Sequence, residues 1–232
     1  MENQNPQHIA IILDGNRRFA KRLMLEPWKG HEYGAEKVEK LLDWLKELKI
    51  KELTVYCLST ENLKRPKQEL DYLLNVFRKE FENISKGENK EKIEKDKIKI
   101  RFIGNLSLLP KDLEEQCRKL EKQTQKNNDY IVNFCIAYGG KLELIETIKN
   151  IMKKTKNPEE VNEKLIEQNL YMPDEPDLII RTGGEKRTSN FLPWQSAYSE
   201  WFFLDKFWPE FEKQDLIQCI EEFKNRKRNF GK

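Results

Sequence analysis

The stretch His8-Ile9-Ala10-Ile11-Ile12-Leu13-Asp14-Gly15-Asn16-Arg17-Arg18 decides the fold. Its first half is apolar and rich in β-branched residues, without polar alternation. That is the pattern of a strand covered on both faces, as in a parallel sheet. Its second half switches abruptly to an acid, a glycine, an amide and two guanidinium groups. Working outward, Val38, Leu41, Leu42, Leu45 and Leu48 recur at helical spacing, and residues 53–58 read as a second strand. Pro66 suits a first helical turn, and Leu70, Leu73, Leu74, Phe77 and Phe81 form the next apolar stripe. Further strands are expected over 98–103, 131–137, 177–181 and 198–204, and helices over 110–126, 142–153 and 215–228. Strand alternating with helix implies an α/β fold: a single domain over 1–232, with a central, mostly parallel six-stranded sheet flanked by helices.

Two segments stand apart. Residues 85–99 are dense in Lys and Glu, which predicts a solvated helix end or a mobile loop. The tail from Lys224 carries five basic residues and no acid, so it is either a solvated face or a source of anion ligands.

Composition narrows the function. The chain has 232 residues, with 43 Lys and Arg against 40 Asp and Glu, a net charge of +3. That balance does not call for nucleic acid as a partner. No fully apolar run exceeds five residues, whereas a membrane span needs roughly 20. Cys57, Cys117, Cys135 and Cys219 are scattered, with no C-x-x-C pair, and no leader reads as a signal peptide. A cytoplasmic protein is expected.

In open parallel sheets, ligands bind beyond the carboxyl ends of the strands. Four strand ends here carry unusual polar sequence. In Asp14-Gly15-Asn16-Arg17-Arg18 the glycine permits close backbone approach, a following helix start can hold an oxyanion, and the arginines are forked phosphate donors. A lone Asp among such cations suits a Mg²⁺ shared with phosphate oxygens; an ordinary strand-to-helix turn is the alternative. In Ser59-Thr60-Glu61-Asn62-Leu63-Lys64-Arg65, any one polar residue could be a helix cap, but Glu61, Asn62 and Arg65 together exceed what capping needs. Tyr138-Gly139-Gly140-Lys141 reads as a tight turn or a close approach. The stretch from Arg181 to Asn190 has the makings of a diphosphate cradle in Arg181, Arg187 and Ser189 beside a glycine pair. Glu200 is either a second metal carboxylate or a structurally paired acid. His31 is a phosphate contact or a cap, and His8 a structural imidazole. The residues thus point to Mg²⁺-assisted phosphate or diphosphate chemistry without a covalent nucleophile. There is no G-x-x-x-x-G-K-[ST] and no Asp-Asp pair, which sets aside P-loop NTPases and the aspartate-rich trans-prenyltransferases.

Together these motifs resemble the cis-prenyltransferases, the family of undecaprenyl diphosphate synthase, over nearly the whole chain. The resemblance rests on residues 8–20, Gly30-His31 with Gly34, 56–66, 137–140, 177–185, and 187–195 with Glu200. Asn16-Arg17-Arg18 and residues 104–110 look closer to archaeal and eukaryotic members. The resemblance implies a Mg²⁺-dependent condensation of isopentenyl diphosphate onto an allylic diphosphate, farnesyl or geranylgeranyl, giving a long Z-polyprenyl diphosphate lipid carrier. It implies that Asp14 carries the metal and assists departure of the allylic diphosphate, with Glu200 as second ligand. Gly15, Asn16, Arg17, Arg18 and His31 would hold that diphosphate, and Phe19 would contact substrate. Ser59, Thr60, Glu61, Leu63 and Arg65 match a second substrate motif, and Asn62 a residue that handles the proton lost. Arg181, Arg187, Thr188 and Ser189 would grip isopentenyl diphosphate. It further implies a homodimer, a hydrophobic tunnel between the sheet and two helices, and peripheral contact with membranes for product release.

Departures are visible. Pro27, Leu63, Lys141 and Lys186 replace an arginine, an aromatic, an arginine and a histidine common in the family. Asn229 stands where an arginine crosses the dimer in many members, so either Arg226 or Arg228 is expected to substitute, or activity is reduced or requires another subunit. A noncatalytic subunit of a heteromer is the alternative function, and a phosphohydrolase a remote one.

Overall fold

The structure, a computed structural model, describes residues 5–226. The expectations concerning Arg228 and Asn229 therefore lie outside the described residues. The sheet forms from β1 (His8–Ile12), β2 (Glu52–Ser59), β3 (Ile98–Ile103), β4 (Tyr130–Tyr138), β5 (Leu178–Arg181) and β6 (Glu200–Phe203). Their order is β3-β4-β2-β1-β5-β6, and every pairing is parallel. The central strand β1 is buried along its whole length, which explains its unbroken apolar run.

Helices connect the strands: α1 (Asn16–Arg22), α2 (Gly30–Glu47), α3 (Lys67–Ile84), α4 (Gly87–Lys95), α5 (Lys111–Thr124), α6 (Gly140–Lys154), the short α7 (Glu163–Glu167) and α8 (Lys213–Asn225). Alternate β1 residues serve two cores. Ile9 and Ile11 join Leu41, Leu45, Leu73, Phe81, Leu113, Trp208 and Phe223 on one face, under α2, α3, α5 and α8. Ala10 and Ile12 join Tyr138, Met172, Phe191 and Leu192 on the other.

Residues 85–99 are the expected solvated segment in part, since no residue of the helix they form is buried, but they also make contacts that were not expected. They form α4 and the start of β3, and Asn89, Lys92 and Ile93 line an internal cavity. α6 is inverted in polarity. Glu143 and Thr147 face inward and buried, while Ile145, Ile148 and Met152 stand half-exposed outside. The buried acid is tolerated because Tyr138 Oη, Gln195 Nε2 and the Tyr171 backbone N–H all donate to it.

Candidate active site

The site forms where β1 and β5 run side by side, with Ile12 opposite Arg181. Asp14 lies two residues past β1, and its main chain is fixed by Trp208 N–H at 2.9 Å and Thr182 Oγ1 at 2.7 Å, both donating to its carbonyl. The turn needs Gly15, which sits at φ 106°, where a Cβ would lie 2.8 Å from Phe207 Cβ. Gly30 and Gly34 let α2 press against the first turn of α1. A Cβ on Gly30 would stand 2.0 Å from the Asn16 carbonyl oxygen, and one on Gly34 2.4 Å from Asn16 Oδ1.

Arg181 is the hub. Its side chain is only 4% exposed, and its fork spans both halves of the site. One nitrogen, Nη2, donates to Asp14 Oδ2 at 2.8 Å, while Nη1 donates to Ser189 Oγ at 2.7 Å and to the Arg187 carbonyl. Arg18 Nη2 reaches the other Asp14 oxygen at 3.1 Å. Gly183, at φ 89°, leaves room for that arginine: a Cβ there would meet Arg18 Nη2 at 2.7 Å. Glu185 lies between Arg187 (2.6 Å) and Arg18 (3.7 Å).

A second cluster faces the first. Glu69, at the first turn of α3, is 4% exposed and pairs with Arg65 at 3.2 Å and Arg17 at 3.5 Å. Arg65 Nη1 approaches His31 Nε2 at 3.4 Å. Burial, with Arg65 and Arg17 close by, pulls the His31 imidazole down to about 4, so it is neutral near pH 7. Asn62 and Ser59 lock the intervening turn reciprocally: Asn62 Oδ1 accepts the Ser59 N–H, and Ser59 Oγ accepts the Asn62 N–H. Glu61 accepts from Asn190 Nδ2 at 3.0 Å, tying this turn to the 187–190 segment. Burial opposes ionisation of Glu61, but hydrogen bonds from its own backbone, Asn190, Ser59 and Thr60 hold its carboxyl low.

Some of these groups line a cavity of about 410 Å³. Asp14, Asn16, His31, Ser59, Asn62, Arg65, Arg181, Arg187 and Ser189 line its polar part. Val38, Leu42, Leu73, Phe77, Phe81, Ile93, Ile98 and Phe134 line the rest. Because Ile98 begins β3 and Asp14 follows the end of β1, the cavity runs along the sheet from its carboxyl to its amino edge.

Not every predicted residue arrives here. Phe19 packs edge-on against Tyr33, ring centroids 5.4 Å apart, and Leu63 packs against the core. Neither lines the cavity, and neither do Gly15, Arg17, Arg18, Thr60, Glu61 or Thr188, although Arg17 and Arg18 pair with Glu69 and Asp14, which lie at it or beside it. Glu200 is the largest displacement. It opposes Leu178 at the amino end of β5, whereas Arg181 closes the carboxyl end, so within one chain it lies at the edge away from Asp14. Arg226 Nη1 donates to it at 2.6 Å. Three residues that sequence reasoning did not single out belong to the site: Glu69, Glu185 and Tyr56. The Tyr56 hydroxyl donates toward the Tyr138 and Ser189 carbonyls, and its ring stacks on Phe191. For Glu69 the available signal was its i+4 spacing from Arg65.

The family model described as putative undecaprenyl diphosphate synthase matches residues 12–231. The chain belongs to the undecaprenyl diphosphate synthase family. A Methanopyrus kandleri relative is 45% identical over 237 residues, covering 100% of this chain and 86% of its own length. One from Methanocaldococcus jannaschii is 43% identical, covering 98% and 83%. Both are named tritrans,polycis-undecaprenyl-diphosphate synthase (geranylgeranyl-diphosphate specific), in agreement with the archaeal-type resemblance. Lavandulyl diphosphate synthase from Lavandula x intermedia, solved with dimethylallyl diphosphate, superposes with TM-score 0.89 at 31% identity over 98% of this chain and 99% of that one. A probable undecaprenyl diphosphate synthase from Campylobacter jejuni gives 0.82 at 33%, covering 99% and 100%. The chain is accordingly an enzyme, a prenyltransferase. Neither the phosphohydrolase nor the noncatalytic reading is favoured.

Proposed function

We propose that this member of the undecaprenyl diphosphate synthase family condenses isopentenyl diphosphate onto an allylic diphosphate, making a long Z-polyprenyl diphosphate. The observation that carries this reading is one cavity lined by Asp14, Arg65, Arg181 and Arg187 in its polar part and by Val38, Leu42, Phe77 and Phe81 in its apolar part. Geranylgeranyl diphosphate is the preferred primer, by analogy with the names of the archaeal relatives.

Arg17, Arg18 and neutral His31 hold the allylic diphosphate beside Asp14, and Arg181, Arg187 and Ser189 hold isopentenyl diphosphate. Two dianionic heads repel, so cations on both lower the cost of bringing the reacting carbons together. The Arg181 fork fixes the spacing of the two sites because one guanidinium touches both. As the allylic C–O bond breaks, charge grows on the departing diphosphate, where Arg17 and Arg18 already stand. The Asn62 side chain is an amide and neither gains nor loses a proton near neutrality, so it orients the isopentenyl group.

Among the described residues no group of three His, Cys, Asp or Glu side chains could hold a metal unaided. Asp14 is partly exposed, and Arg18 and Arg181 already occupy its oxygens. Such a single carboxylate fits a Mg²⁺ that arrives on a diphosphate and takes most of its ligands from it. Asp14 would hold it there, and the ion would neutralise diphosphate charge. Sharing that ion with Glu200 would need a second chain, since one chain keeps the two acids at opposite edges. The exposed apolar stripe Ile145, Ile148 and Met152 on α6 supports a homodimer with a second copy against it. Among the described residues no helix is long and apolar enough to cross a membrane, so product would leave to a lipid surface by peripheral contact.

The deciding test incubates purified chain with Mg²⁺, geranylgeranyl or farnesyl diphosphate and labelled isopentenyl diphosphate. Label should enter organic-extractable polyprenyl diphosphate, and EDTA should stop it. Absence of extension by the chain alone would overturn the proposal.

A further inference from the structure

The far end of the cavity is not sealed by apolar packing. Beside Phe77, Phe81 and Ile93 the lining also includes Glu39, Glu80, Asn89 and Lys92. Glu39 is exposed, so this rim reaches solvent. Burial, reinforced by neighbouring Glu39 and Glu36, pushes the Glu80 carboxyl up, as expected for like charges sharing a confined site.

Helix α4 covers the rim. None of its nine residues is buried, and of its side chains only Ile93 packs partly on the core. A helix with so little buried apolar surface is among the first elements to open. What ties it down is a crossed pair of ion pairs to α2. Lys92 Nζ meets Asp43 Oδ1, and Asp96, just past α4, meets Lys46 Nζ. Asp43 and Lys46 are one turn apart on α2, as Lys92 and Asp96 are at the end of α4, so the links reinforce one register. All four side chains remain partly exposed, which keeps each link weak and sensitive to salt.

We propose that α4 is a movable floor, latched to α2 by Lys92–Asp43 and Lys46–Asp96, and that this latch fixes the product length at which chain growth stops. The inference rests on the prenyltransferase function proposed above. Each condensation pushes the tail five carbons deeper along the apolar part. At the rim the tail must either strip water from Glu39, Glu80 and Lys92 or lift α4. The first is costly for charged groups. The second is opposed by the latch together with the partly buried Ile93, and burying another isoprene unit works against them.

The test compares wild type with the double variant Asp43→Asn/Lys46→Gln, neither residue lining the cavity. Single-turnover addition of one isopentenyl unit, product length at matched conversion, and hydrogen exchange of the α4 amides are measured. The expected result is unchanged first addition, faster α4 exchange, and products lengthened by one or more five-carbon units. The charge-swapped pair Asp43→Lys/Lys92→Asp should bring product length back toward wild type, whereas Asp43→Lys alone should lengthen it. Unchanged or shorter products, or unaltered α4 exchange, would overturn the latch. Failure of the wild type to extend any primer would instead overturn the proposed function, so the two failures are distinguishable.

Discussion

Replacing Arg181 by lysine keeps the charge and removes the fork. The guanidinium reaches Asp14 Oδ2 with one nitrogen and Ser189 Oγ and the Arg187 carbonyl with the other. A lysine ammonium is a single point and can serve one side only. A charge-assisted hydrogen bond contributes about 1.5–3 kcal/mol. Asp14 is 27% exposed, so solvent screens part of that, and a net loss of about 2 kcal/mol is reasonable. That corresponds to roughly 30-fold in kcat/KM. The loss should appear against isopentenyl diphosphate, because the unfastened side is the 187–189 segment, or both substrates if Asp14 is released. Arg181→Met should fare worse, by several hundred-fold, and should also lower Tm, since it leaves a carboxylate without its buried partner. Steady-state kinetics with each substrate varied, alongside thermal melts, reads all of this. If Arg181→Lys keeps kcat/KM for isopentenyl diphosphate within threefold of wild type, the bridging role is refuted.

Other expectations can be checked in parallel. Glu69→Gln removes the carboxylate between Arg17 and Arg65; KM for the allylic diphosphate should rise about tenfold, about 1.4 kcal/mol, with a smaller change in kcat. His31 is held at about 4 in the folded chain against an ordinary 6.5, so the unfolded chain takes the proton first. Stability is therefore complete above about pH 6.5 and falls as pH drops toward 4, with His8, also pulled down by burial, acting in the same direction. Urea unfolding should show His31→Gln recovering about 1–2 kcal/mol of the loss between pH 7 and pH 5. Ile148→Glu places a charge in the exposed stripe of α6 and should convert a dimer to monomer in light scattering; a variant that stays dimeric would remove that face from the interface.

The order of strands and helices was legible in the residues because local patterns carry it. The buried run of β1, the stripes of α2 and α3, and the glycines beside Asp14 and Arg181 each follow from nearest-neighbour chemistry. α4 was not legible, since a Lys- and Glu-rich helix tied down by ion pairs looks like any solvated segment until its partners on α2 are known. The helix of α6 was legible, but not that its buried face carries Glu143 and Thr147 beside Ile151, because the hydrogen bonds that satisfy Glu143 come from Tyr138, Gln195 and the Tyr171 backbone. By itself the sequence determined which residues are cationic, which are flexible and which strand ends are polar, and so which chemistry the protein can perform. Only the tertiary structure decided that Arg181 bridges two loops, that Glu69 gathers Arg17 and Arg65, and that Glu200 lies at the far edge from Asp14. Those relations depend on which strands become neighbours and at which end, and long-range pairing of that kind is settled by packing a sheet from both faces at once.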